Sequence, residues 1–380
     1  MGEPFIFGLP HRVDGHPFLA TETLYSRVGH NTGNLAFQYA IHRLLGGRLN
    51  QVPWSGDKHT IETAGDIGVI PAANQFGAHV DYGDLAKSVG TLSQKLVMIG
   101  LGSQSDVDGK IPEVPKGTVD WVKEIAKRAP SAAPNIAVRG AFTLEVLKHY
   151  ELSEHATVLG CPSLFINPDP ELGRLIERRI RPPKRFAVAA GHQSWRHLRH
   201  IEASLGRLVS VTHGSYVGQH ALPMLKLTRG EAVELEEVEL RACRDYVCPE
   251  MDLDEFVVWA DRHGNVFFDV DSWIEHYRRF DFVVGTRIHG VMLALQAGIP
   301  GLCIAHDSRT LELCRTMMVP HVVARDVRLG ISRDQMMELF QFDGNAFDRN
   351  RRMLARRMSD FLSNNGILKP KILETIATQS

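Results

Sequence analysis

The chain has 380 residues, 44% of them hydrophobic and 23% charged, with 43 Lys and Arg against 44 Asp and Glu. The length suits two domains, since single cores stop growing near ~250–300 residues, and the composition excludes a wholly disordered chain. A formal net charge of -1 offers no global field for nucleic acid or an anionic membrane, so only local basic patches could serve such partners.

The N-terminal stretch 1–17 lacks a basic segment followed by an apolar run of signal-peptide length. Helical spacing first appears at 35–45, and buried-strand patterns follow at 67–70 and 95–99. A helix is predicted at 119–127, a short strand at 135–138, and a helix at 143–150. A charged helix at 171–181 then runs into Arg181-Pro182-Pro183-Lys184, which no helix can continue. This break divides the chain into an N-terminal domain, 1–180, and a second domain, 181–345. The second half alternates again, with strands predicted at 185–190, 207–212, 282–285, 301–305 and 321–324. Helices are predicted at 271–280, 290–297 and 308–317, and 230–245 reads as an acidic surface helix with loops. An Arg-rich amphipathic helix at 347–364 dominates the remainder, 346–380, which could cross back to the first domain.

Strands alternating with helices predict parallel sheets with crossover helices, hence an α/β fold with two domains facing a cleft. The most apolar stretch, 291–305, is interrupted by Gln296, Gly298 and Pro300, so it cannot span a membrane as one helix. The five cysteines include no Cys-x-x-Cys pair, which removes zinc spacing and suits reduced thiols in a reducing compartment. A soluble cytoplasmic protein is therefore expected.

Ligands of open α/β sheets sit beyond the carboxyl ends of the strands, so those loops hold the candidate chemistry. Strand 282–285 ends at Gly285-Thr286-Arg287-Ile288-His289-Gly290, putting Arg287 and His289 at a strand-to-helix turn. There an Arg can grip a carboxylate or phosphate in bidentate fashion, and a His can move a proton. The structural alternative is Arg287 paired with Asp281 or Asp307 and His289 capping a helix. His306 and Asp307 follow the next strand on an adjacent lip. Gly191-His192-Gln193-Ser194-Trp195 opens the second half, and a helix after it would present its N-terminus to an anion. In the first half, Gly29-His30-Asn31-Thr32-Gly33-Asn34 enters a helix without Gly-x-Gly-x-x-Gly or Walker spacing. Gly100 to Gln104, Asn74 and Gln75 also end strand regions. Neither His-Glu-x-x-His nor Gly-x-Ser-x-Gly occurs.

The string from Asp281 through Gly285-Thr286-Arg287-Ile288-His289-Gly290 to Gly298-Ile299-Pro300 resembles the polysaccharide pyruvyl transferase family. So do its continuation Ile304-Ala305-His306-Asp307-Ser308-Arg309 and the upstream segments at 29–45, 138–147 and 158–163. Departures are Val28-Gly29-His30-Asn31 in place of Asp-x-Gly-Asp, His306-Asp307 in place of Tyr-Asp, and a longer, more acidic 215–261. The resemblance implies two Rossmann-like domains, similar to the B-type glycosyltransferases, and a transferase acting in polysaccharide, including exopolysaccharide, biosynthesis. It implies phosphoenolpyruvate as donor, a sugar or lipid-linked saccharide as acceptor, and neither a redox cofactor nor an obligatory metal. On that reading His289 and Arg287 are catalytic. Gly285, Arg287, Gly290, Gly191, His192, His306 and Asp307 bind the donor, while Asn31, Gly33, Asn34, Asn74 and Arg139 face the acceptor. Peripheral membrane contact would follow from a lipid-linked acceptor; a nucleic-acid partner would not. The alternatives are a nucleotide-sugar glycosyltransferase of the same fold and a catalytically silent carbohydrate- or anion-binding protein.

Overall fold

The computed structural model describes residues 2–46, 49–105 and 107–378. Six strands, β1 (Pro4–Phe7), β2 (Gln51–Val52), β3 (Ile67–Pro71), β4 (Lys95–Leu101), β5 (Ile136–Val138) and β6 (Ala156–Val158), form one sheet in the order β2-β1-β3-β4-β5-β6. Six more, β7 (Phe186–Ala189), β8 (Ser215–Val217), β9 (Gly264–Asn265), β10 (Phe282–Gly285), β11 (Gly301–Ala305) and β12 (His321–Val323), form a second sheet in the order β12-β11-β10-β7-β8-β9. Every pairing in both sheets is parallel. The fold is thus α/β with two doubly wound sheets.

Parallel strands covered on both faces need continuous apolar runs. Ile67–Pro71 and Gly301–Ala305 are buried throughout. In each sheet the chain reverses its direction of travel once, between β1 and β3 and between β7 and β10. In α/β proteins such reversals, beyond the strand ends, are where ligands bind.

One apolar cluster joins the two sheets, combining Phe37, Val69 and Ile99 with Ala189, Ile288 and Met292, and with Leu354, Met358 and Phe361 from the last long helix. That helix, Gly344–Asn364, buries Phe347, Leu354, Ala355, Met358, Phe361 and Leu362 on one face, the amphipathic stripe its spacing predicts. Its Arg351 is 1% exposed and donates to the carbonyls of Leu164 at 3.0 Å, Asp169 at 2.6 Å and Asn167. At its end Asn365 donates to the Pro134 carbonyl at 2.9 Å, beside the first sheet.

The stretch 207–212 is not a strand. It closes the helix Arg199–Thr212, and the strand beside β7 is Ser215–Val217. Ile201, Leu205, Leu208 and Val209 are buried together on one helical face; the adjacent Leu-Val pair imitates a strand only when read without the residues before it. His213 ends the helix in a left-handed conformation, φ 48°, and Gly214 leads into the strand. The five cysteines are free and buried. Among the described residues, no helix is long and apolar enough to cross a membrane.

Candidate active site

Arg287 sits at the cap position of the helix Ile288–Gln296, immediately after β10, and is 8% exposed. Neither Asp281 nor Asp307 pairs with it. Asp281 is held by Arg181 at 2.7 Å. Asp307 caps its own helix, accepting from the Thr310 N–H at 2.7 Å, and meets Arg309 at 3.5 Å. The guanidinium instead lies over the Trp195 ring, 4.3 Å from the centroid, and its Nε and Nη2 have no hydrogen-bond partner in the protein. Buried N–H groups of a cation are seldom left unmatched, and a planar fork of two donors matches a carboxylate or phosphate. Burial, then the charge of Arg309, draws the Arg287 guanidinium down to about 10, still protonated at neutral pH.

Further buried polar atoms without a partner occur on the loops beyond the strand ends: Arg309 Nε, His306 Nε2, Gln219 Nε2, Thr286 Oγ1 and Thr32 Oγ1. His306 packs on Trp195 with centroids 4.3 Å apart, and His192 lies 4.3 Å from His220. Burial, reinforced by Arg287, holds His192 down to about 4 and His220 to about 3. Burial lowers His306 to about 4 as well. At pH 7 these rings are neutral, each able to give one N–H and accept at the other nitrogen.

His289, 8% exposed, is lowered well below its usual value by burial and by Arg139, Arg309 and Arg287. Its Nε2 lies 3.5 Å from Cys161 Sγ, which itself accepts from the Ser163 hydroxyl at 3.1 Å. Arg139 approaches from the first sheet, donating to the Gly100 carbonyl at 2.8 Å and the Ala72 carbonyl at 3.3 Å. Its guanidinium lies 5.8 Å from the Phe37 ring, which in turn is 5.6 Å from His289. The charges of Arg139 from one sheet and of Arg287 and Arg309 from the other all act on His289.

The loop before helix Asn34–Leu45 crosses to the second sheet. Asn31 bridges His220, and the Thr32 N–H donates to the Gln219 carbonyl at 2.9 Å. A Cβ on Gly33 would stand 3.5 Å from that of His289 and 3.0 Å from Asn31 Oδ1, so Asn31 and Gly33 lie at the cleft. Asn34 is spent on its own loop, donating to the Val28 carbonyl at 2.9 Å and the Gly29 carbonyl at 3.3 Å. Asn74 donates to Gln104 at 2.5 Å, tying two strand ends together.

Gly285 and Gly290 are required by close packing. A Cβ at Gly285 would meet the Ala189 carbonyl at 2.1 Å, and one at Gly290 would meet Gln219 Nε2 at 2.6 Å and Ala189 Cβ at 2.7 Å. Gly191 differs from the expected anion-binding turn. Its N–H donates to Glu202 at 2.6 Å, and the helix after it begins only at Arg199, behind a 3-10 turn at Arg196–Leu198. The Glu202 carboxylate, also accepting from the Tyr216 hydroxyl at 2.8 Å, fills the place an anion would take.

The sequence alone assigns no individual role to Gln219, His220, Trp195 or Arg309. Gln219 and His220 escaped because the strand before them was expected at 207–212. Arg309 carried a legible signal: a cation in the first turn of a helix opposes the helix dipole. Ala221, next to His220, has φ 67° and ψ 123°, a backbone conformation costly for any residue with a side chain and often kept at ligand sites. Among the described residues no cluster of three or more His, Cys, Asp or Glu is arranged to hold a metal ion.

The sequence pattern of the polysaccharide pyruvyl transferase family matches residues 63–308. The chain belongs to that family. The matched stretch runs from β3 through the Arg287 turn to the start of the helix that carries Arg309. No curated protein matches the chain. Solved structures similar to this family member include UDP-GlcNAc 2-epimerase of Methanocaldococcus jannaschii in complex with UDP-GlcNAc and UDP, at 9% identity and TM-score 0.43, covering 93% of this chain and 99% of that one. S. aureus MnaA with UDP shows 10% identity and TM-score 0.44, covering 98% and 94%. UDP-N-acetylglucosamine 2-epimerase of Rickettsia bellii shows 10% identity and TM-score 0.44, covering 96% of each.

Proposed function

We propose that the cleft transfers the pyruvyl group of phosphoenolpyruvate to two hydroxyls of a saccharide, leaving a pyruvate ketal. The observation that carries this reading is Arg287: a buried guanidinium with Nε and Nη2 unmatched, inside a family of polysaccharide pyruvyl transferases. Phosphoenolpyruvate carries a carboxylate and a phosphate, and the cleft supplies Arg287 and Arg309 with unmatched N–H groups and Arg139 close by. Neutral His192, His220 and His306 add N–H donors without competing for positive charge.

The chemistry balances without a redox partner. A proton added to the methylene carbon turns it into a methyl group and makes C2 electrophilic. One sugar hydroxyl attacks C2, phosphate leaves, and a second hydroxyl closes the ketal. Of the two hydroxyl protons released, one replaces that spent on the methyl group and the other leaves with phosphate. His289 is our choice of proton donor. Burial does most to hold its pKa down, and the arginines that add to this are the groups an anionic donor would neutralise, so binding the donor offsets their share of the lowering and favours a ring that can protonate carbon.

Asn31 and Gly33, beside His289, suit the acceptor side. The test is thermal unfolding with millimolar phosphoenolpyruvate and, separately, a nucleotide sugar, because a ligand that binds only the native state raises the melting temperature. A shift with phosphoenolpyruvate alone supports the reading; a shift with the nucleotide sugar alone transfers the site to glycosyl transfer. Full turnover by His289→Ala would remove that residue as the acid.

A further inference from the structure

The turn that carries His192 and Trp195 also borders a second space. A surface groove of about 580 Å³ runs between this turn and the helix Glu237–Val247, lined by Gln193, Arg196, Arg199, Arg241, Asp245 and Tyr246. Two of its charges are already matched, Arg241 by Glu237 and Asp245 by Arg244. Arg196 and Arg199 are exposed and have no carboxylate partner among the described residues. They stand three residues apart where the 3-10 turn enters the helix, a spacing that puts both on one face.

The groove's floor holds a second feature. Tyr246 is 3% exposed; its hydroxyl lies against the His192 backbone and meets no side-chain partner, and the buried amide oxygen of Gln193 has no partner. The Tyr246 hydroxyl also reaches the cleft. A Cβ on Gly191 would lie 2.7 Å from Glu202 Oε2, 2.8 Å from this hydroxyl and 2.9 Å from Thr286 Oγ1, next to Arg287. Groove and cleft adjoin on either side of the buried Gly191 and Glu202.

We propose that this groove binds a phosphoryl group, mono- or diphosphate, carried by the saccharide acceptor at the end remote from the hydroxyls that react. The proposal rests on reading the cleft as the site of pyruvyl transfer. Two guanidiniums on one rim without a carboxylate partner match phosphoryl oxygens, Arg199 through its Nη groups because its Nε donates to His200 at 3.4 Å. They stand out on a chain whose overall charge is close to zero. The buried tyrosine hydroxyl can donate to a bridging or sugar oxygen as the acceptor passes into the cleft. The space exceeds what a lone carboxylate needs and accommodates a diphosphate with its first sugar.

The test is calorimetric titration of inorganic pyrophosphate, and of a sugar 1-phosphate beside its neutral sugar, into the whole chain with phosphoenolpyruvate saturating. The parent is compared with Arg196→Glu/Arg199→Glu, two exposed positions outside the cleft. The expected result is binding of the phosphorylated probes but not of the neutral sugar, weakened at least tenfold in the double variant. The variant's melting shift with phosphoenolpyruvate should equal the parent's. Equal affinity for pyrophosphate in parent and variant overturns the proposal. So does charge-dependent binding to phosphatidylglycerol vesicles with none to the soluble phosphates, which makes the rim a membrane contact. If the parent shows no melting shift with phosphoenolpyruvate, the pyruvyl-transfer reading fails, and this appears separately because the pyrophosphate titration is also run without that ligand.

Discussion

Replacing Arg287 by Met keeps most of the side-chain volume and removes the charge, so it separates what this arginine does for the fold from what it does for a ligand. Drawing the guanidinium from its ordinary 12.5 down to about 10 corresponds to roughly 3 kcal/mol against the charged form. Against this stands the contact with Trp195 at 4.3 Å, worth about 1–2 kcal/mol when shielded from water. The variant without added ligand should therefore be more stable than the parent by about 1–2 kcal/mol. For 380 residues the unfolding entropy is roughly 0.8 kcal/mol per degree, so the midpoint should rise by about 2 °C. Ligand binding should move the other way. Two charge-assisted hydrogen bonds at about 1.5–3 kcal/mol each imply a loss in phosphoenolpyruvate affinity of roughly a hundredfold or more. Differential scanning calorimetry with and without phosphoenolpyruvate reads both effects. A variant that melts below the parent and keeps the parent's shift with phosphoenolpyruvate would refute the reasoning on both counts.

Glu312 accepts from the Thr143 hydroxyl at 2.6 Å and its N–H at 3.0 Å, linking the two halves, and burial raises its carboxyl to about 7. The folded chain thus holds this proton more tightly than the unfolded chain, so its contribution is complete below about pH 4.5 and lost as pH rises through 7. Glu312→Gln should remove about 3 kcal/mol of that decline, seen as a narrowing stability gap between parent and variant; parallel urea curves from pH 5 to 8 would rule it out. Arg351→Met strips three carbonyls of a charged donor in a buried site, and should lower stability by about 3–5 kcal/mol. Its urea midpoint should fall while the phosphoenolpyruvate shift per unit ligand survives; an unchanged midpoint contradicts the role given to Arg351. Gly290→Val should cost about 2 kcal/mol or more by overpacking against Ala189 and Gln219, and a variant with parental melting would show that the helix can shift to make room.

The α/β alternation and the helix Gly344–Asn364 were legible because their apolar periods extend over long windows. So was the placement of Arg287 and His289, since a glycine-ended strand followed by a helix start is a local pattern. The helix Arg199–Thr212 was not, because its last apolar pair mimics a strand and the true strand, Ser215–Val217, is only three residues long. That misplacement hid Gln219 and His220. The Cys161–His289 contact joins residues 128 apart in the chain, and no local spacing reports it. Glu202 behind Gly191 was invisible for the related reason that its helix was expected to begin earlier.

A crystal structure of the complex decides whether phosphoenolpyruvate lies between Arg287 and His289. The expected result is a carboxylate or phosphate seated on Nε and Nη2 of Arg287, with the methylene carbon about 3–3.5 Å from a ring nitrogen of His289. Phosphoenolpyruvate bound with Arg287 untouched, or with its methylene turned away from His289, would contradict it.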